Sequence, residues 1–186
     1  MTPPTIRSER VVLDAVLPSD ADAVFLYCQD DDLQTYIPVP VPYTRPDAER
    51  YVTDYARQSE GSASSVLWAI RVEDRFAGVL ELRLEPLASS AVGFWLGGPW
   101  RRRGIMVEAL ETVIEYAFDE QGLALTRMHW EAVVGNLGSA TVAHRAGFAF
   151  EGTIRRSLVH REERLDSWQA TLLASDSREE TDGWPL

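Results

Sequence analysis

Residues 95–109 read Trp-Leu-Gly-Gly-Pro-Trp-Arg-Arg-Arg-Gly-Ile-Met-Val-Glu-Ala, and the chemistry they offer is the capture of an anion. An apolar, strand-like run from Val92 to Leu96 gives way to a turn, after which three arginines and a glycine open a helix. Successive free N–H groups at a helix start, the positive end of the helix dipole and neighbouring guanidinium groups all favour a phosphate. Gly104 lets the backbone come close to it. A charge run is otherwise a solvated basic turn, and on their own Arg101, Arg102 and Arg103 leave both readings open.

A second segment, from Asn136 through Ser139 to Gly147 and Phe148, follows another strand-like run and reads as a short helix ending at a glycine, then a strand. Together the two segments resemble the GNAT acetyltransferase superfamily. Its acetyl-CoA loop is written Gln/Arg-x-x-Gly-x-Gly/Ala, and Arg101, Gly104 and Met106 fall on the three defined positions. The Asn-x-x-Ser helix ending in Gly-Phe is similar to the RimJ/RimL branch of N-terminal and ribosomal-protein acetyltransferases. The resemblance covers roughly Thr5 to Ala174. Met106 is a departure: a bulky side chain enters the first turn of the phosphate helix. Pointing into the core it costs little, because methionine fills irregular gaps; pointing at the phosphates it obstructs them.

The resemblance implies acetyl-CoA as co-substrate, held by Arg101, Arg102, Arg103, Gly104, Ile105 and Met106 at its phosphates. The backbone of Phe94, Trp95 and Leu96 would pair with the pantetheine arm, and a backbone N–H there would polarise the thioester carbonyl. Asn136 would hydrogen-bond the arm, and Ser139 would protonate the leaving thiolate, since Ala143 stands where many members carry a tyrosine. Asn and Ser are also among the commonest helix caps, a role compatible with the first for Asn136. For the base, Glu81 in the strand Phe76 to Leu84 points to the face opposite Leu80 and Leu82, with Arg83 as a same-face partner. Glu131 is the second choice. His144 falls on the outer face of its helix, and neither it, His129 nor His160 is assigned a role.

The elements that must position these groups follow from pattern. A first strand spans Arg10 to Val16, and Pro18-Ser19-Asp20 starts a helix with Ala23, Val24 and Tyr27 on one face. Residues 28–44, with Asp30-Asp31-Asp32 and Pro38, Pro40 and Pro42, read as a loop; with Tyr36 and Tyr43 it would shape the acceptor pocket. A second helix runs from Pro46, capped by Thr44 or Arg45, to Ser59, and Gly61 to Ser65 is a turn. Strands follow at Val66 to Val72, Phe76 to Leu84 and Val92 to Leu96, with Pro86 to Ser90 a divider. Ile105, Ala109, Val113 and Ala117, with Leu110, Ile114 and Phe118, make one helical stripe closed by Gly122. Met128 to Val134 is a strand, Asn136 to Ala146 a helix, and Phe148 to Ile154 and Leu165 to Leu173 are strands. The fold class is α/β (α+β), a GNAT-like mixed, mostly antiparallel sheet of about seven strands with helices on both faces. Residues 1–175 form one domain, and 176–186 an acidic, frayed tail.

Composition narrows the function. The chain has 186 residues, 45% of them hydrophobic, and one cysteine, Cys28, which fits a reducing compartment and excludes an internal disulfide. A net charge of −11 argues against nucleic acid and suits a cationic amine. No apolar run suggests a membrane span or signal peptide, so a cytoplasmic location is expected. No metal-ligand spacing is visible. The expected function is N-acetyl transfer from acetyl-CoA to a primary amine by direct attack in a ternary complex. An α-amine titrates near ~7.8 and a lysine near ~10.4, so deprotonating lysine costs roughly 3.5 kcal/mol more. A protein or peptide N-terminus is therefore the first acceptor, a small-molecule amine the second, with the protein a monomer or homodimer. The alternative is a non-catalytic acyl-CoA-binding sensor or interaction domain.

Overall fold

Two strands in the middle of the sequence, β3 (Ser65–Val72) and β4 (Arg75–Glu85), carry nearly unbroken apolar runs and are buried on both faces. Such runs belong in a sheet covered on both sides. The structure, a computed structural model, describes residues 2–56, 58 and 64–186. In it β3 and β4 join β1 (Ile6–Arg7), β2 (Val12–Asp14), β5 (Ser89–Leu96), β6 (Arg127–Val133), β7 (Ala149–His160) and β8 (Glu163–Leu173). They form one eight-stranded sheet in the order β1-β2-β3-β4-β5-β6-β8-β7. Neighbours are antiparallel except β5 and β6.

Register decides which side chains share a face. Trp68 lies opposite Leu80, Leu82 opposite Val92, and Val92 opposite Trp130. Helix α4 (Ile105–Phe118) covers this face, Tyr116 meeting Trp68 edge-on at 6.1 Å, and α5 (Leu137–Arg145) joins it through Trp130. Glu81, Gly93 and Glu131 alternate to the other face. There α1 (Ala21–Tyr27), α2 (Asp31–Tyr36) and α3 (Arg45–Arg50) gather, and α3 continues as a π-helical turn over Tyr51–Tyr55 that brings the Tyr55 hydroxyl to Glu81. The expected α4 stripe is the buried one, Ile105, Ala109, Leu110, Val113, Ile114 and Ala117.

Several boundaries differ from expectation for physical reasons. Residues 28–44 are not all loop: the Asp30 carboxylate accepts the Leu33 N–H at 2.9 Å, and with Asp31 and Asp32 at the dipole's positive end this starts α2 ahead of the prolines. The sheet has eight strands rather than seven because the short β1 adds an edge to β2. The first expected strand is shorter, Val12–Asp14. The divider before β5 is also shorter, since Leu87 and Ala88 turn with positive φ and Ser89 already pairs with Glu85. Helix α4 stops at Phe118; Gly122 lies in the following turn, packed on the Tyr116 carbonyl where a Cβ would sit 1.9 Å away. Strand β7 runs to His160, past the expected end at Ile154. Ser59 and Gly61 to Ala63 lie outside the described residues.

The tail 176–186 has no regular secondary structure, yet it is docked rather than frayed. Trp184 sits with ring centroids 5.5 Å from Trp130 and 5.3 Å from Phe150, and the Thr181 hydroxyl donates to the Phe148 carbonyl at 3.0 Å. The buried ring surface offsets the entropy of ordering this segment. The same contact covers His144, whose ring lies 5.5 Å from Trp184, so His144 is not on an open outer face. No helix among the described residues is long and apolar enough to cross a membrane.

At a bulge in β4, Gly78 lets that strand approach β5 so closely that a Cβ would lie 2.1 Å from the Trp95 carbonyl oxygen. Backbone cannot yield as a side-chain tip does. Gly78→Ala is expected to destabilise the fold by roughly 2–4 kcal/mol, read as a lower urea midpoint with an unchanged m-value.

Candidate active site

Strands β5 and β6 pair only from Ser89–Arg127 to Val92–Trp130. Beyond that rung Gly93 to Leu96 pair with β4 alone, and Glu131 to Val133 with β8 alone. The parallel strands therefore part, each with a backbone edge unpaired in the sheet. A cavity of about 730 Å³ opens at this fork, between Phe94 and Leu96 on one side and Asn136 and Ser139 on the other.

The helix start closes one end of the cavity. Gly104 holds φ at 76°, in the left-handed region that glycine enters without a Cβ penalty, and turns the chain into α4. The first intrahelical bond runs from the Glu108 N–H to the Gly104 carbonyl at 3.1 Å. The N–H groups of Ile105, Met106 and Val107 thus have no intrahelical acceptor, and all three residues line the cavity. Met106 is only 5% exposed and belongs to the core, the orientation in which the departure from glycine costs little.

The three arginines diverge. Arg101 is engaged with protein: its Nε donates to the Leu96 carbonyl and its Nη1 to Asp30, both at 2.9 Å. Arg102, exposed and with φ 59°, is left on the cavity wall. Arg103 does not line the cavity; its guanidinium lies 5.2 Å from the Trp100 ring centroid, and its carbonyl accepts from Arg10 at 3.0 Å.

On the other wall, Asn136 caps α5 by accepting the Ser139 N–H at 3.1 Å. The Ser139 hydroxyl accepts from the Trp130 indole N–H at 3.0 Å. A helix start with N–H groups free of intrahelical acceptors, an open strand edge and a hydroxyl at the fork therefore face one space.

The family model of the acetyltransferase (GNAT) domain matches residues 10–149. The chain belongs to this family. It is 30% identical over 120 residues to the Bacillus subtilis protein named "Probable N-acetyltransferase YjcK", a match covering 62% of this chain and 65% of that protein. Over 93 residues it is 33% identical to the ribosomal-protein-serine acetyltransferase of Escherichia coli, covering 49% of this chain and 51% of that protein. The matches thus span less than two thirds of either relative. Among solved structures, the ribosomal L7/L12 alpha-N-protein acetyltransferase RimL, in complex with coenzyme A, shares the fold. Its TM-score is 0.79 at 20% identity, over 93% of this chain and 100% of that one.

In this GNAT chain neither candidate base borders the cavity. Glu81, 9% exposed, accepts from Tyr55 at 2.9 Å and Ser65 at 2.6 Å, with Arg83 at 3.5 Å. It pairs with Gly93, the first residue of β5 past the fork. Glu131 follows Trp130 on the opposing strand, and its Oε1 accepts from Ser167 at 2.6 Å, Ser157 at 3.0 Å and Gln169 at 3.1 Å. Burial alone would raise its pKa, but these hydrogen bonds outweigh burial and hold it below the usual carboxylate value. His129 and His160 are pushed down by burial and by the neighbouring Arg127 and Arg161. Among the described residues, no group of three or more His, Cys, Asp or Glu is placed to hold a metal ion.

The 28–44 segment splits its side chains. Tyr36 lines the cavity and donates to the Gly135 carbonyl at 3.1 Å, tying α2 to the turn before α5. Tyr43 instead is buried beside Cys28, whose thiol burial pushes up to about 11, as expected of an inert cysteine. Trp130 escaped the sequence reading: an indole inside an alternating strand carries no signal that its N–H reaches the next helix.

Because the folded pKa of Glu131 is depressed, the stability it contributes is present above the ordinary carboxylate value and lost as pH falls through the folded one. Glu131→Gln is therefore expected to lose less stability than wild type between about pH 5 and pH 3, compared by urea unfolding at the two pH values. Equal losses would mean the serine cluster does not hold the charge.

Proposed function

We propose that this chain moves an acetyl group from acetyl-CoA to a primary amine by direct attack in a ternary complex. The observation that carries the proposal is the convergence on one cavity of the α4 start, the unpaired edge of β5 and the Ser139 hydroxyl. The residues fit a long ligand with phosphates at one end. Three free N–H groups and Arg102 suit the phosphates, and the backbone of Phe94 to Leu96 supplies hydrogen-bonding groups to an extended arm. The Asn136 oxygen is taken by its cap, which leaves its amide NH₂ to donate to that arm. Acetyl-CoA supplies an activated acetyl thioester, and Ser139 gives a proton to the departing sulfur.

Glu81 and Glu131 lie on the other face, at the level of the first rung past the fork. In this reading the amine enters there as an ammonium ion, attracted by both carboxylates, and Glu81 accepts its proton. Glu131, held ionised by its hydrogen bonds, adds negative charge there. A peptide α-amine near ~7.8 is about one-seventh neutral at pH 7, so it needs little help, whereas a lysine needs a strong base. This favours a protein N-terminus as acceptor, in keeping with the alpha-N-protein activity named for the RimL neighbour.

A thermal melt with saturating acetyl-CoA, against ATP as a phosphate control, comes first. At a hundredfold excess over Kd, binding contributes about 2.7 kcal/mol and raises Tm by roughly 5–10 °C. No shift with acetyl-CoA overturns the proposal. Ser139→Ala is then expected to lower kcat by roughly 100-fold or more with acetyl-CoA affinity intact, and N-terminal peptides to outpace lysine side-chain substrates. Tight binding with no thiol release across an amine panel would make the chain an acyl-CoA sensor instead.

A further inference from the structure

We propose that Trp130 is a positioning residue that aims the Ser139 proton at the fork, and that the C-terminal tail braces it. The inference rests on the reading of Ser139 as the proton donor. Trp130 is the last residue of β6 to pair with β5, so its backbone marks the vertex where the two strands part. Its side chain is 1% exposed, and the indole N–H spans from β6 to α5, donating to Ser139 Oγ at 3.0 Å.

A serine hydroxyl has one proton and two lone pairs and rotates freely unless held. The Trp130 N–H occupies one lone pair, which removes the rotamers that would point the proton back at the sheet. Among the described residues the Ser139 O–H has no protein acceptor, and Ser139 lines the cavity. The proton is therefore directed into the space where the leaving sulfur would lie.

The same bond also matters during the reaction. As the amine nitrogen bonds to the acetyl carbon and the carbon–sulfur bond breaks, the electron pair stays on sulfur. Ser139 then passes its proton to that sulfur, and its oxygen becomes electron-rich. A hydrogen bond to a developing anion is stronger than one to a neutral hydroxyl, so the Trp130 N–H stabilises the transition state more than the ground state. The nitrogen meanwhile releases one proton to water, and water returns one to Ser139, so the proton lost by nitrogen replaces the one given to sulfur and no hydroxide is left over.

The brace comes from the far end of the chain. Trp184 packs against Trp130 at 5.5 Å with rings inclined by 52°, and its own N–H donates to Thr181 at 3.2 Å, which is anchored on the Phe148 carbonyl. An indole packed against a second indole has less room to swing its N–H away from Ser139. The tail thus reaches the chemistry without entering the cavity.

The test is a double-mutant cycle on the full-length protein, with Trp130→Phe, Ser139→Ala and both together, following kcat and acetyl-CoA affinity. Trp130→Phe is expected to lower kcat roughly tenfold or more with acetyl-CoA affinity within about twofold. In the Ser139→Ala background it should add no further loss. If it slows that background by the same factor, Trp130 acts by packing and the inference is overturned while the Ser139 reading stands. The inference alone also falls if Ser139→Ala loses activity and Trp130→Phe does not. If Ser139→Ala binds acetyl-CoA and keeps full kcat, both fall. Should Trp130→Phe fold poorly, site-specific replacement by 3-benzothienylalanine keeps the shape of the indole and removes its N–H. The same loss of kcat is then expected, and full activity overturns the inference.

Discussion

A backbone N–H or carbonyl shut away from water needs a partner, and past Val92 strand β5 finds one on only one of its edges. Everything that distinguishes this molecule's cavity follows from how the chain keeps that edge open. β4 grips β5 from one side through the close approach at Gly78. Gly97 lies flat against Tyr27, where a Cβ would come within 2.4 Å of the ring, and Arg101 ties the Leu96 carbonyl to the loop above. From the other side, β8 pairs with β6 over its whole length and draws it away. Past the fork each strand is held by its outer neighbour alone, and the slot between them is part of the fold. A preformed slot spares binding the cost of ordering its walls.

The long apolar stripe of α4 was legible because burial repeats at a fixed period, and β3 and β4 because their apolar runs are nearly unbroken. So was the pairing of a glycine-led helix with an Asn-x-x-Ser helix, since both announce themselves by helix-end chemistry. Helix α2 was not, because the signal of an Asp30 cap was outweighed by the three prolines that follow it. Nor was the docked tail: acidic residues and glycine suggest fraying, and only the three-dimensional neighbourhood of Trp184 reveals an aromatic partner for it. Long-range side-chain contacts leave no local period to read.

The arginine run makes the same point about chemistry. Three identical side chains in a row look like one electrostatic feature, yet each answers to a different neighbour. Asp30 neutralises Arg101 at the cavity wall, the Trp100 face takes Arg103, and Arg102 lines the cavity without an ion-pair partner among the described residues. Composition sets the number of charges; backbone direction, including the positive φ of Arg102 and Gly104, sorts them. A local positive island in a chain of net charge −11 is thus mostly spent on holding the loop, with the helix start supplying the remaining pull on an anion.

The sheet itself divides the proposed reaction into two sides. The groups proposed to hold phosphate, Asn136 and Ser139 belong to the face that carries α4 and α5, while Glu81 and Glu131 belong to the opposite one. Elsewhere in the sheet the hydrogen-bonded strands form a wall between those faces. At the fork after the Val92–Trp130 rung the wall is missing, so a donor lying on one face and an amine approaching from the other share a single opening. In the proposed reaction charge would work with geometry, drawing a cationic amine to Glu81 and Glu131 and an anionic ligand to the helix start.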